Sequence, residues 1–217
     1  MELSDLIAGD PVSAKIRIGT VVSVQATTPR TFTITLGSSA NSIAGVSCLA
    51  QAFPAPQQQV IVLIQGTQAV ILGSTQPSPY KARAHASGAT SLTPAGFTTI
   101  TLGVEDYDPN NNFAASTYTC PVDGYYRIDF QVEALLNNNP QDFVAGAFKN
   151  GTEVSRGSGL VDRGGLGSDA LRSHGSDLIQ CVTGDTITIM AYNTGANAIN
   201  TAAGTAITFL TVALFST

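Results

Sequence analysis

Apolar and polar residues alternate one by one along most of this chain, the period of a half-buried strand and not of a helix. Five such runs open it: KIRIGTVVSVQ from Lys15, TFTITLG from Thr31, IAGVSCLA from Ile43, QVIVLIQG from Gln59 and QAVILG from Gln68. Turn formers fill the joints, at Thr28-Pro29, Gly37-Ser38, Pro54 to Gln57 and Gly66. Short joints between period-2 runs predict a meander or a small closed barrel. Val60 to Ile64 is apolar on both faces, as expected of a strand inside a barrel or between subunits. Upstream, residues 3–9 (LSDLIAG) read as one helical turn ended by Gly9 and Asp10-Pro11.

Thr75 to Pro79 (TQPSP) breaks the pattern and reads as a short stiff linker. Strands are predicted again at Ala84–Ala86, Thr98–Leu102, Thr117–Thr119, Phe143–Lys149, Thr152–Arg156, Thr186–Tyr192 and Ala206–Phe215. Tyr126, Ile128, Phe130 and Val132 alternate with Arg127, Asp129 and Gln131, and Asn150-Gly151 is a strong hairpin signal. In the last run Phe209, Thr211, Ala213 and Phe215 alternate with Leu210, Val212 and Leu214. Both faces are largely apolar, so one fills the core and the other needs a partner. The predicted organisation is an N-terminal docking segment (1–13), a five-stranded barrel of OB size (14–76), a linker (77–81) and a second all-β domain (82–217).

Composition narrows the function. Of 217 residues 43% are apolar and 12% charged, about half the usual charged share. That excludes a disordered chain and suits a surface covered by partners. No acid lies between Asp10 and Glu105, while Glu105 onward carries twelve of the fifteen acids. Five scattered cations in that span, Lys15, Arg17, Arg30, Lys81 and Arg83, are too few for a nucleic-acid footprint, and Phe32 and Phe53 read as core and not as base-stacking platforms. Met1 is followed by Glu2 and Asp5, so the expectation is a chain made in the cytoplasm without a leader, and no run is apolar enough for membrane insertion. Cys48, Cys120 and Cys181 form no zinc spacing. Free thiols are expected, with Cys48 a small buried apolar residue.

Catalytic chemistry finds little footing. His85 falls in a strand, and His174 falls in what reads as a polar loop (RSHGSD), next to Ser173 and near Asp177. No nucleophile elbow is present, and the glycine-rich Gly157–Ser168 lacks the Lys-Ser/Thr ending of a phosphate loop. The chain is expected to be no enzyme and to need no cofactor. Asp106, Asp108 and Asn110–Asn112 are candidate oxygen ligands for calcium, in a stretch that is also ordinary turn chemistry. Asn150-Gly151-Thr152 matches a glycosylation sequon, which a hairpin turn explains better.

Tyr107 to Tyr126 (YDPNNNFAASTYTCPVDGYY), the Lys149-Asn150-Gly151 hairpin, Leu178 to Ile187 (LIQCVTGDTI) and the closing Thr208–Phe215 resemble, in order and spacing, the C1q/tumour-necrosis-factor-like jelly roll. The resemblance covers Arg83 to Thr217 and departs from the family at Gly157–Ser168. It implies a sandwich that forms a homotrimer through Phe209, Thr211, Ala213 and Phe215, and it brings Cys120 near Cys181. Ile18 to Gly73, with GTVVSV, TFTITLG, VIVLIQG and VILGS, resembles the small OB-like domains of bacteriophage tail and baseplate proteins.

Together these imply a virion structural protein, made in the host cytoplasm. The tail tip or baseplate is the first expectation and capsid decoration or a head fibre the second. A free lectin-like adhesive protein is the alternative. The barrel would bind other virion proteins and the head a host-surface glycan. Candidate ligand loops are Asp106–Asn112, Asn137–Gln141, Arg156–Ser168 and Asn193–Asn200, with Tyr107, Asn111, Asn138, Arg163 and Asn197 as contacts.

Overall fold

The computed structural model describes residues 14–25, 31–37, 41–49, 54, 56–75, 80–135, 141–158, 160–162 and 170–216. The docking segment, the turn at 3–9, Phe53, Asn138 and Arg163 lie outside the described residues. The chain divides into two compact units between Pro79 and Tyr80.

The first unit is a closed barrel of β1 (Lys15–Gln25), β2 (Thr31–Leu36), β3 (Ser42–Cys48), β4 (Gln59–Gln65) and β5 (Gln68–Ser74), ordered β1-β2-β3-β5-β4. Every pairing is antiparallel except β3 with β5. β1 closes the barrel by serving two neighbours. Its first half, Lys15 to Thr20, pairs with β4, and Gly19 to Gln25 pairs with β2 past an irregularity at Val21/Ser23. Gly19 sits where the two halves meet, and a Cβ there would lie 3.1 Å from the Thr35 carbonyl and 3.2 Å from Val62 Cγ2. Inside are Val21, Phe32, Ile34, Val46, Val60, Val62 and Ile71. Val60 and Val62 point inward while Ile61 and Leu63 point out, which resolves the two-faced run. Cys48, the last residue of β3, is half-buried against this core, not fully buried.

The second unit, from the buried Tyr80, is a two-sheet jelly roll. Its leading strands are β6 (Lys81–His85), β7 (Ser91–Leu92), β8 (Gly96–Thr99), β9 (Val104–Tyr107), β10 (Phe113–Ala114) and β11 (Thr117–Thr119). The central ones are β12 (Gly124–Leu135), β13 (Gln141–Lys149), β14 (Thr152–Arg156), β15 (Leu160–Asp162) and β16 (Ala170–Cys181). β17 (Thr186–Asn193), β18 (Ile199–Thr201) and β19 (Phe209–Ser216) complete it. One sheet runs β10-β11-β17-β13-β14, with β15 beside β13. The other runs β7-β18-β12-β19-β6-β9, with β16 along β12. Tyr118, Tyr126, Ile128, Phe130, Phe143, Ile187, Ile189 and Val212 fill the core. The Tyr126 hydroxyl donates to the Val122 carbonyl at 2.8 Å, which ties the Pro121–Gly124 turn to the strand behind it.

Four sequence expectations change. Arg172 to Asp177, read as a polar loop, is the middle of β16, paired residue for residue with β12. Thr98–Leu102 shifts to Gly96–Thr99, because the Ile100 amide turns aside to donate to the Ile189 carbonyl at 3.0 Å. Within Gly157–Ser168, read as a loop, Leu160–Asp162 pairs with β13. The closing strand starts at Phe209 and not at Ala206, because the Ile207 and Thr208 amides close a turn onto the Gly204 carbonyl.

Candidate functional site: the outer face of the closing sheet

β6 and β19 lie side by side, and their alternation sorts them cleanly. Ala82, Ala84, Leu210, Val212 and Leu214 are buried. Register then places Phe209 beside His85, Thr211 beside Arg83 and Ala213 beside Lys81 on the outer face. Phe215 is 64% exposed. The four residues predicted to need a partner do share one outward face. What the periodicity missed is the polar cluster on the same face. Arg83 stacks over the Phe209 ring at 4.6 Å, pairs with Asp106, and donates to Thr205 Oγ1 at 2.9 Å. His85 Nδ1 lies 2.9 Å from Asp106 Oδ1 without the alignment of a hydrogen bond. Gln131 Nε2 donates to the Ala206 and Ile207 carbonyls. The Lys-x-Arg-x-His spacing of β6 was the available signal, but its partners, Asp106 and Thr205, are distant in sequence.

The two carboxylates among the calcium candidates each contact protein groups, while Asp108 Oδ1 and Asn112 Nδ2 are buried without a hydrogen-bond partner. Asp106 belongs to Arg83 and His85. Asp108 points away from this face and accepts the Phe113 amide at 2.7 Å, an ordinary turn bond. Among the described residues no three His, Cys, Asp or Glu side chains could hold a metal ion. Ser173 and His174, adjacent on a strand, project to opposite faces. Ser173 is buried and donates to the Ser158 carbonyl at 2.7 Å, while His174 is exposed. They therefore form no nucleophile–base pair.

The candidate ligand loops divide between the two ends of the sandwich. Tyr107 is exposed, with Lys81 5.8 Å above its ring, and the exposed Asn111 takes a left-handed turn conformation (φ 54°). Register puts this stretch at the end shared by Lys81, Gly124 and Cys181. Asn193 to Asn200 lies at the other end, where Leu135 meets Asn200. There Asn193 is buried and folds its own loop, donating to the Asn197 carbonyl and accepting the Gly195 amide. Tyr107 and Asn111 therefore share no binding surface with Asn197.

Comparison with solved structures finds low-identity likenesses. The chain is similar to the globular domain of zebrafish complement 1qA protein at 15% identity and TM-score 0.43, over 63% of this chain and 98% of that one. It is similar to Eiger TNF from S. frugiperda at 11% identity and TM-score 0.48, over 63% and 92%. Murine APRIL at pH 5.0 gives 15%, 0.45, 62% and 98%. No family model matches the chain, and no curated protein matches it. Strand order itself gives the class: a closed five-stranded barrel of OB size followed by a two-sheet jelly-roll sandwich.

Proposed function

We propose that this protein is a structural component of a bacteriophage particle, at the tail tip or baseplate, whose barrel attaches it and whose jelly roll forms a trimeric head for contact with the host surface. The role is binding and architectural, not enzymatic. The observation that carries it is the outer face of β19. It offers Phe209, Thr211, Ala213 and Phe215 around an Arg83–Asp106 ion pair, with Lys81 beside Ala213 and near the Tyr107 ring. Burying the apolar side chains of this face is favourable, and the Arg83–Asp106 pair already offsets two of its charges. The sparse charge of the whole chain fits a protein whose surface is largely covered.

Sedimentation of the full chain tests the head. The expected mass is three times 22.4 kDa, and Phe215→Glu with Ala213→Arg should give monomers. A monomeric wild type at micromolar concentration would sink the trimer. Mass spectrometry of purified particles tests the location, since absence of the chain would remove the virion role.

A further inference from the structure

Cys120 and Cys181 meet from two different sheets. Cys120 directly follows β11, and Cys181 is the last residue of β16. Backbone bonds hold both in place. The Cys120 amide donates to the Asp185 carbonyl, and its carbonyl accepts the Gly184 amide, each at 2.8 Å. Cys181 is in register with Gly124 on β12, and the Asp185 amide closes a turn onto the Val182 carbonyl. Both side chains are buried, at 0% and 2% exposure, and the Cys120 thiol donates a hydrogen bond to the Cys181 sulfur. Sulfurs already in hydrogen-bond contact need only a short further approach to reach bonding distance.

The surroundings suit oxidation. Val182, next to Cys181, is 56% exposed, and Thr183 and Gly184 after it are exposed, so the pair sits directly behind a surface turn. The Cys120 hydrogen bond first, and then the Lys149 ammonium, favour the Cys181 thiolate against the cost of its burial. The thiolate is the reactive form. A peroxide is smaller than an alkylating agent and is the oxidant that a covered site of this kind admits. We propose that Cys120 and Cys181 are a redox pair, closed to a disulfide by a peroxide, that staples β11 of one sheet to β16 of the other.

The Cys181 thiolate attacks one peroxide oxygen and the O–O bond breaks. The departing hydroxide takes up the proton that the thiol had released and leaves as water, and Cys181 becomes a sulfenic acid. The Cys120 sulfur then attacks the Cys181 sulfur, the S–O bond breaks, and the hydroxide leaves with the Cys120 proton as a second water. The two thiols have lost two electrons and the peroxide has gained them. The new bond closes the chain from 120 to 181 into a loop, which restricts the unfolded state. In a reducing medium the pair stays as two thiols. None of this depends on the virion reading.

The test uses the full-length Cys48→Ser chain, whose remaining thiols are these two. Folded protein is treated with hydrogen peroxide, then denatured and alkylated, and intact mass, peptide maps and thermal unfolding are read. The treated chain should lose two hydrogens, take up no alkyl group and yield one linked peptide pair carrying Cys120 and Cys181. Its thermal midpoint should rise by at least about 4 °C and return to the starting value with dithiothreitol. Two alkylated thiols after peroxide, sulfinic or sulfonic acids in place of the link, or a link between chains would each overturn the proposal. So would a link that forms only in urea, or one that leaves the midpoint unchanged or lower.

Discussion

The thiols of Cys120 and Cys181 share a hydrogen bond where β11 of one sheet ends beside β16 of the other. Both are buried and free. That hydrogen bond, with burial, pushes Cys120 far above the ordinary thiol range, while the same bond and the Lys149 ammonium pull Cys181 down. The proximity implied by the family resemblance is therefore real, as two thiols. Burial controls access more strongly than ionisation here. Iodoacetamide should label the half-buried Cys48 in native protein and reach Cys120 and Cys181 only after denaturation. Peptide mass mapping checks this, and equal native labelling of all three would contradict it.

Gly175 on β16 faces Phe130 on β12. A Cβ at Gly175 would lie 2.5 Å from Phe130 Cζ, so the ring occupies the space a side chain would need. Gly175→Ala should destabilise the protein by about 1–3 kcal/mol through overpacking. Urea unfolding would show it as a lower midpoint at unchanged slope. An unchanged midpoint would mean that the ring swings aside freely.

Asp185 organises the turns at the thiol end. It accepts the Val182 amide at 2.9 Å and the Asn150 side-chain amide at 2.6 Å, with Lys149 Nζ at 3.6 Å. These bonds, the Val182 amide first, hold its carboxyl below the ordinary range. A depressed carboxylate stabilises the fold above its unfolded pKa, and that contribution is lost as pH falls through the folded value. Wild type should therefore exceed Asp185→Asn in stability above about pH 4, with the gap closing at lower pH. Urea midpoints measured from neutral to acid pH give the comparison, and a gap that persists at the acid end would refute the assignment.

Asp108 Oδ2 accepts the Phe113 amide. Asp108→Ala should cost about 1–2 kcal/mol by freeing the Phe113 amide. Adding calcium or a chelator should leave the thermal midpoint of wild type where it is. A calcium-dependent rise abolished by Asp108→Ala would reverse this reading.

Alternation alone placed the strands that carry the core, because side chains at every second residue report burial locally. It assigned Val60 and Val62 to a two-faced run and Leu210, Val212 and Leu214 to one face of the closing strand. Asn150-Gly151 likewise announced its turn, and both residues take positive φ (51° and 79°). Partner choice is not local, and only the tertiary structure decided it. The parallel β3/β5 contact, the pairing of Arg83 with Asp106 and Thr205, and the separation of the candidate loops to opposite ends all join residues far apart in sequence. β16 shows the reason most plainly. Ser-His-Gly-Ser at 173–176 has the composition of a loop, and it holds as a strand because β12 supplies a full ladder and Phe130 covers the glycine.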